Sequence, residues 1–192
     1  MAGFRLRAFL SYDIEDTSLI TKIRELQHEL DLTGADLKLV DPELMHFTIR
    51  FLGEIDEEDK AAIISALKDK VEDFTVDIMF RGVGTFPDER RISVVWIGID
   101  TASGEKLEEQ ATVVNKLLAP INTIHRDNAD RFSPHVTIAR VRSGKNKDRL
   151  VQFVQDHRTV EFGKTNIKNL RLKLSHLTPA GPEYSDLHVF ER

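Results

Sequence analysis

Two segments of this chain repeat one another, His46-Phe-Thr-Ile49 and His135-Val-Thr-Ile138. Each sits in a run of strand character, Met45 to Gly53 and His135 to Val141. Side chains alternate across a strand, so His46 and Thr48 share one face while Met45, Phe47, Ile49 and Phe51 line the other. His135 and Thr137 stand in the same way against Val136 and Ile138. In both copies the apolar parity suits a core, which leaves the His/Thr parity to line a cleft or face solvent.

The elements around these strands alternate without a fixed order. Phe4 to Ile14 reads as a buried strand, and Ile20, Ile23, Leu26 and Leu30 mark one face of a helix with Thr17 as its N-cap. Leu37 to Val40 is a short strand. Asp56-Glu-Glu-Asp59 supplies the acidic first turn of a helix carrying Ile63, Ile64, Leu67 and Val71. Phe74 to Gly84 and Ile92 to Asp100 form a hairpin across Thr85–Arg90. Ser103 caps a helix that runs to Leu118, and Lys147 to Asp156 is a short helix. Ile167 to Leu177 and Glu183 to Phe190 close the chain as two strands. About nine strands and four helices in mixed order predict an α+β fold with largely antiparallel pairing. No glycine-rich phosphate loop follows a strand.

Composition narrows the chemistry. At 192 residues, 41% hydrophobic and 31% charged, the chain is expected to form one compact domain over 1–192, or two small lobes sharing a core, with no linker. Neither a membrane span nor a secretion signal is present, so a cytoplasmic protein, a monomer free of membranes, is expected. The absence of cysteine removes disulfides, thiolate catalysis and cysteine-held metals. No His-x-x-x-His pair or carboxylate cluster supports a metal site, so neither a metal nor another cofactor is expected. The net charge is −5, yet Arg126, Arg131, Arg140, Arg142, Lys145, Lys147 and Arg149 crowd one stretch against Asp127, Asp130 and Asp148. Such a run suits a localised anion site or simply a solvated face.

If the two His-x-Thr strands met about a pseudo-two-fold axis, two imidazoles and two hydroxyls would surround one point. One neutral imidazole could take a proton from water while the opposite imidazolium protonates a departing oxygen, with the hydroxyls holding non-bridging phosphate oxygens. An unperturbed pKa of about 6.5 lets histidine populate both states near neutral pH.

These motifs, with Arg7-Ala-Phe-Leu-Ser-Tyr-Asp13, His46-Phe-Thr-Ile-Arg-Phe-Leu-Gly53, Gly84-Thr-Phe-Pro87, Val95-Trp-Ile-Gly98, Phe132-Ser-Pro-His-Val-Thr-Ile-Ala-Arg140 and Gly181-Pro-Glu-Tyr184, resemble the 2H phosphoesterase superfamily. Within it, the resemblance is to RNA 2′,3′-cyclic phosphodiesterases of the 2′-5′ RNA ligase type. It implies a bilobal α+β fold of two antiparallel β-sheets with helices on their outer faces and a cleft between the lobes. It also implies metal-independent hydrolysis of RNA 2′,3′-cyclic phosphate ends to 2′-phosphates, and reversible ATP-independent 2′-5′ ligation by the same site. His46 would then be the proton donor and His135 the proton acceptor, with Thr48 and Thr137 binding phosphate. Arg140 takes the place of a phosphate-contacting arginine. Two alternatives stay open, a non-catalytic module that binds RNA ends and a phosphodiesterase for other cyclic or 2′-5′ linked nucleotides.

Strict alternation puts Arg140 on the face opposite His135, so it can serve only if the strand ends, bulges or bends before it. Arg50 has the parity of His46 and is the competing arginine. Phe9, Tyr12, Phe51, Phe132 and Tyr184 lie near the motifs and read as core more readily than as stacking platforms. His28, His125, His157, His176 and His188 have no paired context.

Overall fold

The computed structural model describes residues 6–71, 75–124, 132–178 and 181–191. His125, Arg126, Asp127, Asp130, Arg131 and Phe74 lie outside the described residues. The apolar run at the start forms β1 (Leu6–Asp13), buried along almost its whole length because it is an inner strand covered on both faces. Helix α1 (Thr17–Leu32) follows, then β2 (Leu37–Leu39), a 3-10 turn at Pro42–Leu44, β3 (His46–Ile55) and α2 (Glu57–Leu67). The hairpin β4 (Val76–Asp88) and β5 (Arg91–Ile99) leads to α3 (Thr101–Leu118). After it come β6 (Val136–Val141), α4 (Lys147–Asp156), β7 (Glu161–Ile167), β8 (Leu170–Thr178) and β9 (Gly181–Phe190).

The strands make two sheets, ordered β3-β1-β8-β9 and β2-β6-β5-β4-β7, with every pairing antiparallel. Matched strand for strand, β3-β1-β8-β9 corresponds to β6-β5-β4-β7, with β2 added at one edge. The two motif strands therefore hold equivalent places. Helix α3 packs on β4 of one sheet and β3 of the other, and β3 also meets β6. Phe47 and Phe80 stack across this junction at 5.4 Å. Buried residues of both sheets belong to one connected core that includes Leu10, Phe47, Ile97 and Val136.

Several element boundaries differ from the sequence expectation for local reasons. Asp16, not Thr17, caps α1, its carboxylate accepting from Leu19 N at 3.0 Å. Asp100, not Ser103, caps α3 and accepts from Ser103 N at 2.9 Å. In each case the carboxylate sits one turn before the amide it caps. Ser103 Oγ instead accepts from Met79 N at 2.9 Å, fastening α3 to β4. The acidic turn at Asp56–Asp59 forms a full capping box. Thr85 to Asp88 belong to β4, and the connection shrinks to Glu89–Arg90, because the Asp88 carboxylate accepts from both Arg90 N and Arg91 N. Strand β7 goes unmarked in the sequence because only Phe162 and Ile167 give it apolar character.

Candidate active site

Both motif strands carry a bulge at the same place. Ser11 pairs with Thr48 and Leu10 with Arg50, so Ile49 has no partner across β1. Trp96 pairs with Thr137 and Val95 with Ala139, so Ile138 has none across β5. An extra residue reverses the facing of everything after it. The burial follows: Ile49 and Arg50 are both buried, as are Ile138 and Ala139. The carbonyl of Ile138, displaced from the β5 ladder, accepts from Val40 N at 3.0 Å and from the buried Gln27 Nε2 at 2.8 Å. Gln27 donates its second proton to Val40 O at 2.7 Å, so the bulge is locked from α1.

This settles the facing of the two arginines. Arg140 returns to the face of His135 and Thr137 and is exposed there. Arg50, which alternation had put beside His46, turns inward instead, with Nη1 donating to Asn115 Oδ1 of α3 at 2.9 Å. Its place on the cleft face is taken by Phe51, 52% exposed.

His46 and Thr48 share the first face and His135 and Thr137 the second, and each of the four is partly exposed. The charge of His135 adds a small lowering effect on the His46 pKa. Each ring is held in one orientation: His46 Nδ1–H donates to Leu44 O at 2.8 Å and His135 Nδ1–H to Ser133 O at 2.7 Å. A carbonyl can only accept, so Nδ1 keeps its proton and Nε2 is the atom left to exchange one.

Aromatic rings surround both histidines. Phe9 lies 5.0 Å from His46, and Tyr184 meets it edge-on at 5.2 Å. Phe86 meets His135 edge-on at 4.8 Å, with Trp96 at 6.2 Å. The Trp96 indole lies flat over Gly84, where a Cβ would stand 2.3 Å from its ring carbons. Burial by these walls pushes both imidazoles below the ordinary histidine pKa. The Leu44 carbonyl and then the Asp13 carboxylate oppose that fall at His46, and the Ser133 carbonyl opposes it at His135. Burial raises the pKa of the Tyr184 hydroxyl, and the charge of Arg140 on the second sheet opposes that rise.

Behind His46 lies an ionic cluster that sequence reasoning missed. Lys173, buried, pairs with Asp13 and at 3.7 Å with Asp186, and Arg171 joins Asp13, Glu15 and Asp186. Asp13, Arg171, Lys173 and Asp186 lie on β1, β8 and β9 and meet through cross-strand register, and Glu15 joins them from the connection after β1. His28 and His176 are exposed away from these contacts, and His157 ends α4, its Nδ1 donating to Phe153 O at 2.8 Å. Among the described residues no group of three or more His, Asp or Glu converges to hold a metal ion. No described helix is long and apolar enough to cross a membrane.

Two sheets joined through His-x-Thr strands, each with its histidine fixed at Nδ1 and open at Nε2, define an α+β protein of paired acid–base groups. The chain belongs to the AKAP7 2′5′ RNA ligase-like domain family, whose model matches residues 8–185. It is 34% identical to an RNA 2′,3′-cyclic phosphodiesterase of Methanothermobacter thermautotrophicus over 97% of this chain and 98% of the relative. An RNA 2′,3′-cyclic phosphodiesterase of Archaeoglobus fulgidus is also 34% identical, over 97% of this chain and 100% of that one. The fold is that of TT0787 from Thermus thermophilus (TM-score 0.77, 22% identity, 96% of this chain and 97% of that one). It is also that of E. coli LigT complexed with 3′-AMP (TM-score 0.72, 17% identity, 97% of both chains).

Proposed function

We propose that this protein hydrolyses the 2′,3′-cyclic phosphate end of an RNA to a 2′-phosphate. The observation that carries the reading is the matched pair of Nδ1-anchored histidines, each offering Nε2, on opposed strands. The names of the full-length relatives support the same substrate class.

Water attacks phosphorus in line with the 3′ oxygen. Its oxygen forms the new bond to phosphorus as the P–O3′ bond breaks. His135 Nε2 accepts the water proton, and protonated His46 delivers its Nε2 proton to O3′, so charge and atoms balance. Thr48 and Thr137 donate hydroxyls to the non-bridging oxygens, and Arg140 adds a fixed positive charge that lowers the cost of the crowded phosphorane-like state. Phe51, exposed on the His46 side, offers a face for the terminal base. When a 5′-hydroxyl replaces water, the same step joins two RNA ends through a 2′-5′ bond. No step requires a metal or other cofactor. The protein acts as a cytoplasmic monomer.

A short RNA ending in a 2′,3′-cyclic phosphate, incubated with EDTA, tests this. Wild type should yield the 2′-phosphate, and His46→Ala and His135→Ala should each lose about 10²-fold or more in rate. No turnover with binding retained would leave an RNA-end binding module, and turnover surviving both substitutions would make the motifs structural.

A further inference from the structure

Beyond Arg140, the β5–β6 ribbon ends in a concavity of ≈ 300 Å³. Arg90 and Arg91 line it from the hairpin turn and the start of β5. Arg142 and Ser143 line it from just past the end of β6, and Lys147 from the start of α4. Four cations and no carboxylate line it, in a chain with 32 acidic residues against 27 basic ones.

Arg90, Arg91 and Arg142 are held by their backbones and Lys147 by its ammonium. Arg142 N donates to Asp36 O at 2.9 Å, the Asp88 carboxylate pins the amides of Arg90 and Arg91, and Lys147 Nζ donates to Arg90 O at 2.6 Å. The guanidinium groups of Arg90, Arg91 and Arg142 form no ion pair or hydrogen bond with a described residue. Elsewhere Arg24, Lys60, Arg158, Arg171 and Lys173 each have a carboxylate partner. The start of α4 borders the same concavity without a side-chain cap, because Asn146 Nδ2 donates to Gly34 O at 2.9 Å. Its first amides add to the positive field there. Converging arginines repel one another unless an anion lies between them, and guanidinium forks fit phosphate oxygens.

We infer that this concavity is a second phosphate subsite, which seats a backbone phosphodiester of the substrate RNA upstream of the reacting end. The inference rests on the function proposed above. It names RNA rather than a mononucleotide as the substrate, because one strand, β6, links the two places. His135 and Thr137 stand at its start, Arg140 near its end and Arg142 just past it. Seven residues of strand span about 20 Å, several nucleotides of extended RNA.

The test compares 2′,3′-cyclic AMP with a decamer RNA ending in a 2′,3′-cyclic phosphate, for wild type and the double variant Arg91→Ala/Arg142→Ala. The variant should lose about tenfold or more in kcat/KM on the decamer and keep its activity on cyclic AMP. Its decamer affinity should also depend less on salt, the slope falling by about 2. Equal kcat/KM on the decamer, or equal losses on both substrates, would overturn the subsite. If inorganic phosphate binds wild type but not the variant while the decamer is unaffected, the concavity is a free-phosphate site and the inference fails. If wild type turns over neither substrate, the proposed function fails instead. The subsite is then read from binding of a labelled decamer with a 2′-phosphate end, where unchanged affinity in the variant overturns it.

Discussion

Phe51 and Arg140 occupy equivalent positions, each five residues after a motif histidine and each returned to the cleft face by a bulge two residues before it. The two halves are otherwise near copies at this point. One half therefore ends its motif in an exposed aromatic ring and the other in an exposed guanidinium. A flat apolar surface and a cation suit different parts of a nucleotide, the base and the phosphate. On the function proposed above, this asymmetry would give a site with two similar histidines a single direction in which to bind its substrate.

Replacing Phe51 by Ala should weaken nucleotide binding by about 1–3 kcal/mol, the usual worth of a base stacked on a ring. The loss should appear in KM for a cyclic-phosphate substrate, while the melting temperature changes little because the ring is half exposed. Steady-state kinetics with calorimetry checks both.

Thr48→Val and Thr137→Val should each lower kcat by about 10²-fold, the cost of removing one donor from a developing oxyanion. Substrate affinity should change far less. Single-turnover rates separate the two effects.

Arg140→Lys keeps the charge but loses the planar fork. It should recover part of the activity that Arg140→Ala loses, and more of it at low salt, where a point charge is screened less. Rates of both variants across a salt series measure this.

The pH dependence follows from the depressed histidines. With burial holding both imidazoles below 6.5 in the native protein, the species with one protonated and one neutral ring is most populated on the acid side of 6.5 in free enzyme. The kcat/KM profile should peak there, and the kcat profile should peak at higher pH because bound phosphate favours the imidazolium. Stability follows the same groups. Their unfolded forms take up protons first as the pH falls below 6.5, so stability present above that pH is lost through this window. Urea midpoints against pH should flatten in the His46→Gln/His135→Gln variant.

Gly84→Ala should destabilise by about 1–3 kcal/mol, because the added Cβ meets the Trp96 ring at 2.3 Å and the ring must shift. Trp96 walls His135, so the same substitution should lower activity. Thermal unfolding and rate measurements on one preparation test the link.

The sequence by itself determined which side chains share a strand face: the His-x-Thr spacing, the apolar parity behind it and the acidic start of α2 are local periodicities, and all three reappear in the fold. Alternation over a few residues needs no partner strand. What followed the motifs depended on pairing. Arg50 and Arg140 exchanged faces relative to simple alternation because a bulge is a mismatch between two strands, and neither strand carries it alone. Gln27, which holds one bulge, lies far from Ile138 in the chain, and no spacing links them. The same holds for the cluster of Asp13, Arg171, Lys173 and Asp186, whose members meet through the order β1-β8-β9. The concavity of Arg90, Arg91, Arg142 and Lys147 is likewise a product of a hairpin turn brought to a strand end. A charge run shows in sequence, but only tertiary structure decides which of its members face one point.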